Sequence, residues 1–301
     1  MNPLWIVFTV IAAAAQTARN AIQRDLTAGL GAGGAAHIRF LFALPFALLF
    51  LAGLMAADPA PLPAVTPVFG LWILLGALTQ IGATLLMVMT MEERSFVISM
   101  AYLKTEPVIV ALLGLIFLGD RLTVLMAAAI VIATIGVVLI SLRPGARQAQ
   151  ERWSRLRPAL LGLGSGALFA FAAIGFRGAI LSLHRPDYLM TATFSLAVGL
   201  FVQAGLLLVY LALRRPETLR AIARRWRPSL LAGFVGAIAS EFWLLAFALA
   251  TAASVRTLGL VDVLFAQGVT HLVFKQKTTR REIIGIAVLV AGALLLFWTQ
   301  P

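Results

Sequence analysis

The sequence predicts an all-α integral membrane protein of ten transmembrane helices, arranged as two inverted five-helix repeats. Three observations carry that expectation. The chain of 301 residues is 61% hydrophobic and 12% charged, with a mean hydropathy of +0.98, far more apolar surface than a soluble core of this length can bury. Its cations collect in alternate gaps between apolar runs. Sliding the chain by 156 positions (291 − 135) lays IGVVLI at 135–140 on AGALLL at 291–296, and Glu106 on Asp262.

A spanning helix needs roughly 17 to 25 apolar residues. Such runs fall at 3–18, 35–55, 68–91, 95–118 and 125–142, and again at 158–176, 188–213, 228–250, 253–274 and 283–298. In the first run Ala13 to Ala15 mimic a signal-peptide cleavage site, but no cation precedes it, so a retained helix is expected. The domains follow: a first five-helix repeat over 1–142, a basic cytoplasmic linker over 143–157, and a second repeat over 158–301. Five is an odd number, so consecutive repeats insert upside down relative to each other.

Lys and Arg gather on the cytoplasmic side of a membrane. If the helices alternate, one side collects 19 cations, among them Arg19, Arg24, Arg39 and Arg94, while the other receives only Arg121, Arg177, Arg185 and Arg256. The turn GDRLT at 119–123 carries one cation and its counterpart KQKTTRR at 275–281 carries four, as expected if the two turns lie on opposite sides. Both termini are therefore expected outside the cytoplasm, in the plasma (inner) membrane, with Trp5, Trp72 and Trp298 at the outer interface.

The formal charge of +12 does not point to nucleic acid, because the cations punctuate the gaps instead of lining one polar face. The sequence has no cysteine and three scattered histidines, which leaves no zinc set, and no metal or cofactor is expected. A membrane-embedded enzyme would need clustered catalytic residues, yet there is no HExxH, GxSxG or aspartate-rich motif. A scaffold or channel would leave the repeat and the intramembrane charges without a role.

Those charges are the most unusual feature. Lys104, Glu106 and Pro107 sit side by side inside an apolar run, where each ionised group costs about 2.5 to 3.5 kcal/mol unless it faces a cavity or a partner. Pro107 also frees the carbonyl of Leu103 and marks an expected helix break. At about 1.5 Å per residue, Lys104 and Asp262 each lie near the middle of the bilayer, with Glu106 close by in depth. Glu241 lies in the outer half, two residues before Trp243, and Gln80 is in the third helix.

KTEPVIVALLGLIFLGDRLT followed by IGVVLI is similar to the signature of the drug/metabolite transporter superfamily, in particular its ten-helix EamA-type members: a proline, an apolar helix, a Leu-Gly-Glu-Arg-Leu-like turn and a Gly-Val closing helix. VRTLGLVDVLFAQ and AGALLLF resemble the same elements in the second half. Asp120 stands where the family usually has Glu, the second turn lacks the Gly-acid-Arg trio, and the ninth helix has no proline. The resemblance implies export of small metabolites, often amino acids, from a central cavity by alternating access, with lipid and small solutes as partners.

A zwitterionic amino acid needs an acceptor for its ammonium and a donor for its carboxylate in a dry site. Asp262, Glu241 or Glu106 could accept; Lys104, Gln80 or the Trp243 indole could donate. Tyr102, Trp243, Phe169 and Phe171 could receive an apolar side chain. Any of the three acids could instead carry a proton, and Lys104 could instead pair with one of them as a structural ion pair. Arg256 and Arg177 are expected as interfacial cations. Gly162, Gly164 and Gly166 lie in a spanning run with no preceding strand and are expected to serve helix packing.

Overall fold

The computed structural model describes residues 3–59, 61–93, 106–141, 152–265 and 280–298. Tyr102 and Lys104, positions 275–279 of the expected turn and most of the expected linker lie outside these residues. The described chain is helical and contains no strand. Its elements are α1 (Leu4–Leu41), α2 (Leu44–Ala57), α3 (Pro67–Glu93), α4 (Glu106–Leu113) running on as a π-helical turn (Gly114–Leu118), α5 (Val124–Ser141), α6 (Arg152–Ser182), α7 (Tyr188–Arg214), α8 (Pro216–Arg224), α9 (Trp226–Leu249), α10 (Ala252–Leu258) running on as a 3-10 turn (Gly259–Val261), and α11 (Arg280–Trp298). Five stretches are long and apolar enough to cross a bilayer, and Glu106–Leu118, Val124–Leu139 and Ile283–Leu296 are shorter apolar helices. Large side chains such as Leu49, Ile116, Val124 and Phe201 face outward, as a lipid-facing wall requires.

Local chemistry explains several ends. Asp187 caps α7 by accepting from the backbone N–H groups of Leu189 (3.0 Å) and Met190 (3.1 Å), and Thr251 caps α10 by accepting from Ser254 N–H at 3.2 Å, each satisfying donors that a helix start leaves open. At the other end of α4, Gly119 adopts φ 65°, the left-handed conformation that glycine takes without a Cβ penalty. The Asp120 N–H then closes on the Gly114 carbonyl at 3.1 Å.

α1 is helical from Leu4 to Leu41, yet it is not a straight rod. Arg19 Cγ and Cδ and the Arg39 carbonyl all lie within about 4 Å of where a Cβ on Gly236 would sit. Twenty residues of straight helix would separate them by about 30 Å, so the run doubles back between Arg19 and Arg39. Arg19 and Arg39, just after the first expected run and just inside the second, are therefore brought together against α9, joined by helical backbone.

The packing has the symmetry of the sequence repeat. The most extensive contacts pair α3 with α6, α1 with α9, and α5 with α11. Counted as spanning helices these are three with six, one with eight and five with ten, and adding five to each member exchanges the first two pairs and returns the third to itself. At the α5–α11 seam a Cβ on Gly136 would lie 2.4 Å from Leu289 N, and one on Gly292 would lie 2.5 Å from Ala133 N. Both offsets are 156 (292 − 136 and 289 − 133), the self-complementary contact of a two-fold axis. Gly76 and Gly175 make a similar backbone approach between α3 and α6.

Several expectations need correction. α6 begins at Arg152, inside the expected linker. The gap between the seventh and eighth runs folds as α8, whose Ile222 is buried with Leu30, Ile38, Leu211 and Ala232 while Leu219 packs alongside; the three-residue spacing of Leu219 and Ile222 supplies one apolar helical face. Trp5 is buried at 2% exposure and so is not an interfacial indole. The ninth helix is interrupted at Gly259–Val261 without a proline.

Candidate substrate cavity

A cavity of about 850 Å³, counting the space open to solvent, lies among α1, α3, α4, α6, α7, α9 and α10. Glu106 and Asp262, the pair 156 residues apart, both line it. The repeat thus brings one carboxylate from each half to a shared space.

Around Glu106 the wall is a compact cation–aromatic assembly. Arg256 Nε lies 2.9 Å from Glu106 Oε1, and the guanidinium stands over the Trp243 ring at 4.6 Å and the Phe247 ring at 5.5 Å. Trp243 and Phe247 are stacked with centroids 6.2 Å apart. The Trp243 indole N–H donates to Gln16 Oε1 at 3.1 Å, which fixes the ring. Gly259 makes room for it, because a Cβ there would be 2.4 Å from Trp243 Cη2. The 3-10 turn that begins at Gly259 is therefore what seats the indole beside Arg256.

Other parts of the lining are polar. Arg39 Nη1 donates to Thr84 Oγ1 at 2.9 Å, and its guanidinium lies 5.9 Å from the centroid of the Phe169 ring. Gln203 Nε2 donates to Gln80 Oε1 at 2.7 Å, joining α7 to α3. Thr17 Oγ1 donates to the Asp262 carbonyl at 3.4 Å, tying α1 to the segment after the 3-10 turn. Arg19 lines the same space.

Of the residues singled out from the sequence, Gln80, Glu106, Phe169, Trp243 and Asp262 line the cavity, and Glu241 and Phe171 do not. Glu241 Oε1 instead accepts from Thr193 Oγ1 at 2.5 Å. Two residues along a helix turn by about 200°, so with Trp243 facing the cavity Glu241 faces α7. Pro107 is buried in the first turn of α4, and the backbone before Glu106, with the Leu103 carbonyl, is outside the described residues.

Arg256 is corrected from an interfacial cation to a cavity residue. Arg177 is corrected as well: it is an internal clasp, its Nη2 lying 3.1 Å from Asp120 Oδ1 and its Nη1 donating to the Ala250 carbonyl at the C-terminal end of α9. Burial pushes the Asp120 carboxyl above its ordinary value of 3.8, against the opposing pull of Arg177. The sequence pattern alone did not single out Arg19, Arg39, Gln16 and Gln203. A signal existed for Arg39, which falls inside the bounds of its own apolar run at 35–55.

Residues 3–142 match the model of the EamA-like transporter family. The match covers the stretch of the first expected repeat and none of the second. That family is one of membrane transporters of small molecules, and the apolar spanning helices make this chain a multi-pass helical membrane protein. A solved structure described as "Crystal structure of protein" is similar over 99% of this chain and 98% of its own, with a TM-score of 0.71 and 14% identity, a likeness that carries the fold alone. No curated protein matches the sequence.

Proposed function

We propose that the protein is a secondary active exporter of small metabolites, amino acids first, that works by alternating access of two inverted halves over residues 1–142 and 158–301. The observation that supports this most is the shared cavity in which Glu106 and Asp262, equivalent positions of the repeat, stand among aromatic and amide side chains from both halves. A transport site at a repeat interface has this composition. The charge asymmetry favours both termini outside the cytoplasm. Removing the internal Arg19 and Arg39 from one side and Arg177 and Arg256 from the other leaves 17 cations (19 − 2) against 2 (4 − 2), so the bias sharpens.

Asp262 is the solute-facing acid in this proposal, and Glu241, which is held by Thr193 away from the cavity, is the candidate proton carrier. Lys104 and Tyr102 belong to the same proposal as further contacts. The test is transport by purified protein in liposomes, offering a panel of amino acids and cationic drugs with and without a pH gradient. Accumulation of amino acids is the expected outcome. A folded protein that moves none of the panel under any gradient overturns the exporter reading.

A further inference from the structure

The cavity holds more positive charge than its described acids balance. Arg19 is 3% exposed and Arg39 is 6% exposed, and neither makes an ion pair with a described carboxylate. Arg19 Nη2 donates to Asn20 Oδ1 at 3.0 Å, while its Nε and Nη1 are buried with no hydrogen-bond partner among the described residues. Arg39 has a neutral partner, the Thr84 hydroxyl. Arg256, which could have been balanced by Glu106 alone, is close enough to repel both. Gly236 lets α1 pack this tightly, since its missing side chain is where Arg19 Cδ and the Arg39 carbonyl approach.

A buried guanidinium with open donors and no counterion is among the most expensive groups a fold can carry. It persists where something else supplies the anion, and a planar, always-charged group is suited to an oxyanion. We propose that Arg19 and Arg39 form an anion-binding end of the cavity, and that the solute carries a carboxylate which accepts from Arg19 Nε and Nη1. This inference rests on the exporter reading for what the cavity carries. It adds the class of solute and reverses the emphasis of the sequence, which placed the carboxylate donors at Lys104, Gln80 and Trp243. The aromatic lining by Phe169, Phe176 and Trp243 favours an apolar group at the other end of the molecule.

Four probes test it on the full chain in detergent: phenylalanine, phenylacetate, which keeps the carboxylate without the ammonium, phenethylamine, which keeps the ammonium without the carboxylate, and inorganic phosphate. Binding is read by thermal midpoint and tryptophan fluorescence, and transport of the same probes is read in liposomes. Phenylalanine and phenylacetate are expected to bind and phenethylamine is not. Arg19→Gln should weaken the two carboxylates by about tenfold or more, the worth of a charge-assisted hydrogen bond, while raising the midpoint of the ligand-free protein because a buried uncompensated charge is gone. Arg39→Lys should weaken them too, since an ammonium cannot present the same planar fork.

Phenethylamine binding with phenylacetate silent overturns the carboxylate end, as does wild-type affinity in Arg19→Gln, or a response to phosphate alone. If Arg19→Gln fails to fold, the wild-type panel decides by itself. The two readings separate cleanly. Transport of phenethylamine alone sinks the carboxylate and keeps the exporter; Arg19-dependent carboxylate binding with no transport sinks the exporter and keeps the anion site.

Discussion

Gly136→Ala tests the α5–α11 seam. The new methyl would lie 2.4 Å from Leu289 N, 2.7 Å from Leu289 Cα and 2.8 Å from the Gly285 carbonyl oxygen. All three are backbone atoms, so no side chain can rotate away. Ordinary contact begins at 3.4 Å, and α5 and α11 must therefore separate by about 1.0 Å (3.4 − 2.4). Overpacking of this kind costs about 1 to 3 kcal/mol. Alanine is intrinsically better in a helix than glycine by about 1 kcal/mol, which offsets part of the loss. The control is Gly205→Ala in α7, where nothing lies within 4 Å and only the propensity gain operates. Thermal unfolding in one detergent should therefore move in opposite directions, Gly136→Ala down and Gly205→Ala level or up. The double variant Gly136→Ala with Gly292→Ala should lose less than the sum, because the seam has already opened. A Gly136→Ala midpoint at or above that of Gly205→Ala would refute the close approach.

Three further outcomes are expected. Gly259→Ala drives a methyl to 2.4 Å from Trp243 Cη2, so it should displace the indole, break its bond to Gln16 and change the intrinsic tryptophan emission while leaving the helix content by circular dichroism unchanged; an unaltered spectrum counts against the stacked wall. Burial holds the Asp120 carboxyl above 3.8, so the folded protein keeps that proton to higher pH than the unfolded chain does. The sign follows: this group's contribution to stability grows as pH falls through its folded pKa toward 3.8 and is lost as pH rises. Asp120→Asn should flatten that acid-side slope of the melting midpoint, and an identical slope in the variant would remove Asp120 as its source. Glu241→Gln and Asp262→Asn should each lower liposome transport at unchanged expression, with Glu241→Gln abolishing the response to a pH gradient; unchanged rates in both would return these acids to a structural role.

Much of the architecture is legible in the residues. The apolar runs at 68–91, 188–213 and 228–250 correspond to α3, α7 and α9 within a few positions, because a lipid-facing helix writes its length in hydrophobic residues alone. The 156-residue offset is legible for the same reason that it is visible at Gly136 and Gly292: those positions touch backbone and tolerate no side chain. The site was only half legible. Glu106 and Asp262 stand out because an acid at that depth in hydrocarbon must face a cavity or a partner. Arg19 and Arg256 do not, because an arginine near the end of an apolar run has the same local sequence whether it snorkels to the interface or turns inward. What decides between them is distant in the chain: Gly236 for Arg19 and the Glu106–Trp243 pair for Arg256. The break in the ninth helix was hidden likewise, since no proline marks it and it begins at Gly259, the glycine that leaves room for the Trp243 ring.

The Arg177 clasp has a mechanical implication. One guanidinium grips the loop after the π-helical turn and the terminal carbonyl of α9 at once, stitching together segments from both halves at one rim of the bundle. In the proposed alternating-access cycle, parting the halves at that rim would have to undo the hold on Asp120 as well as helix packing, and neutralising the acid would remove one of the two grips of Arg177.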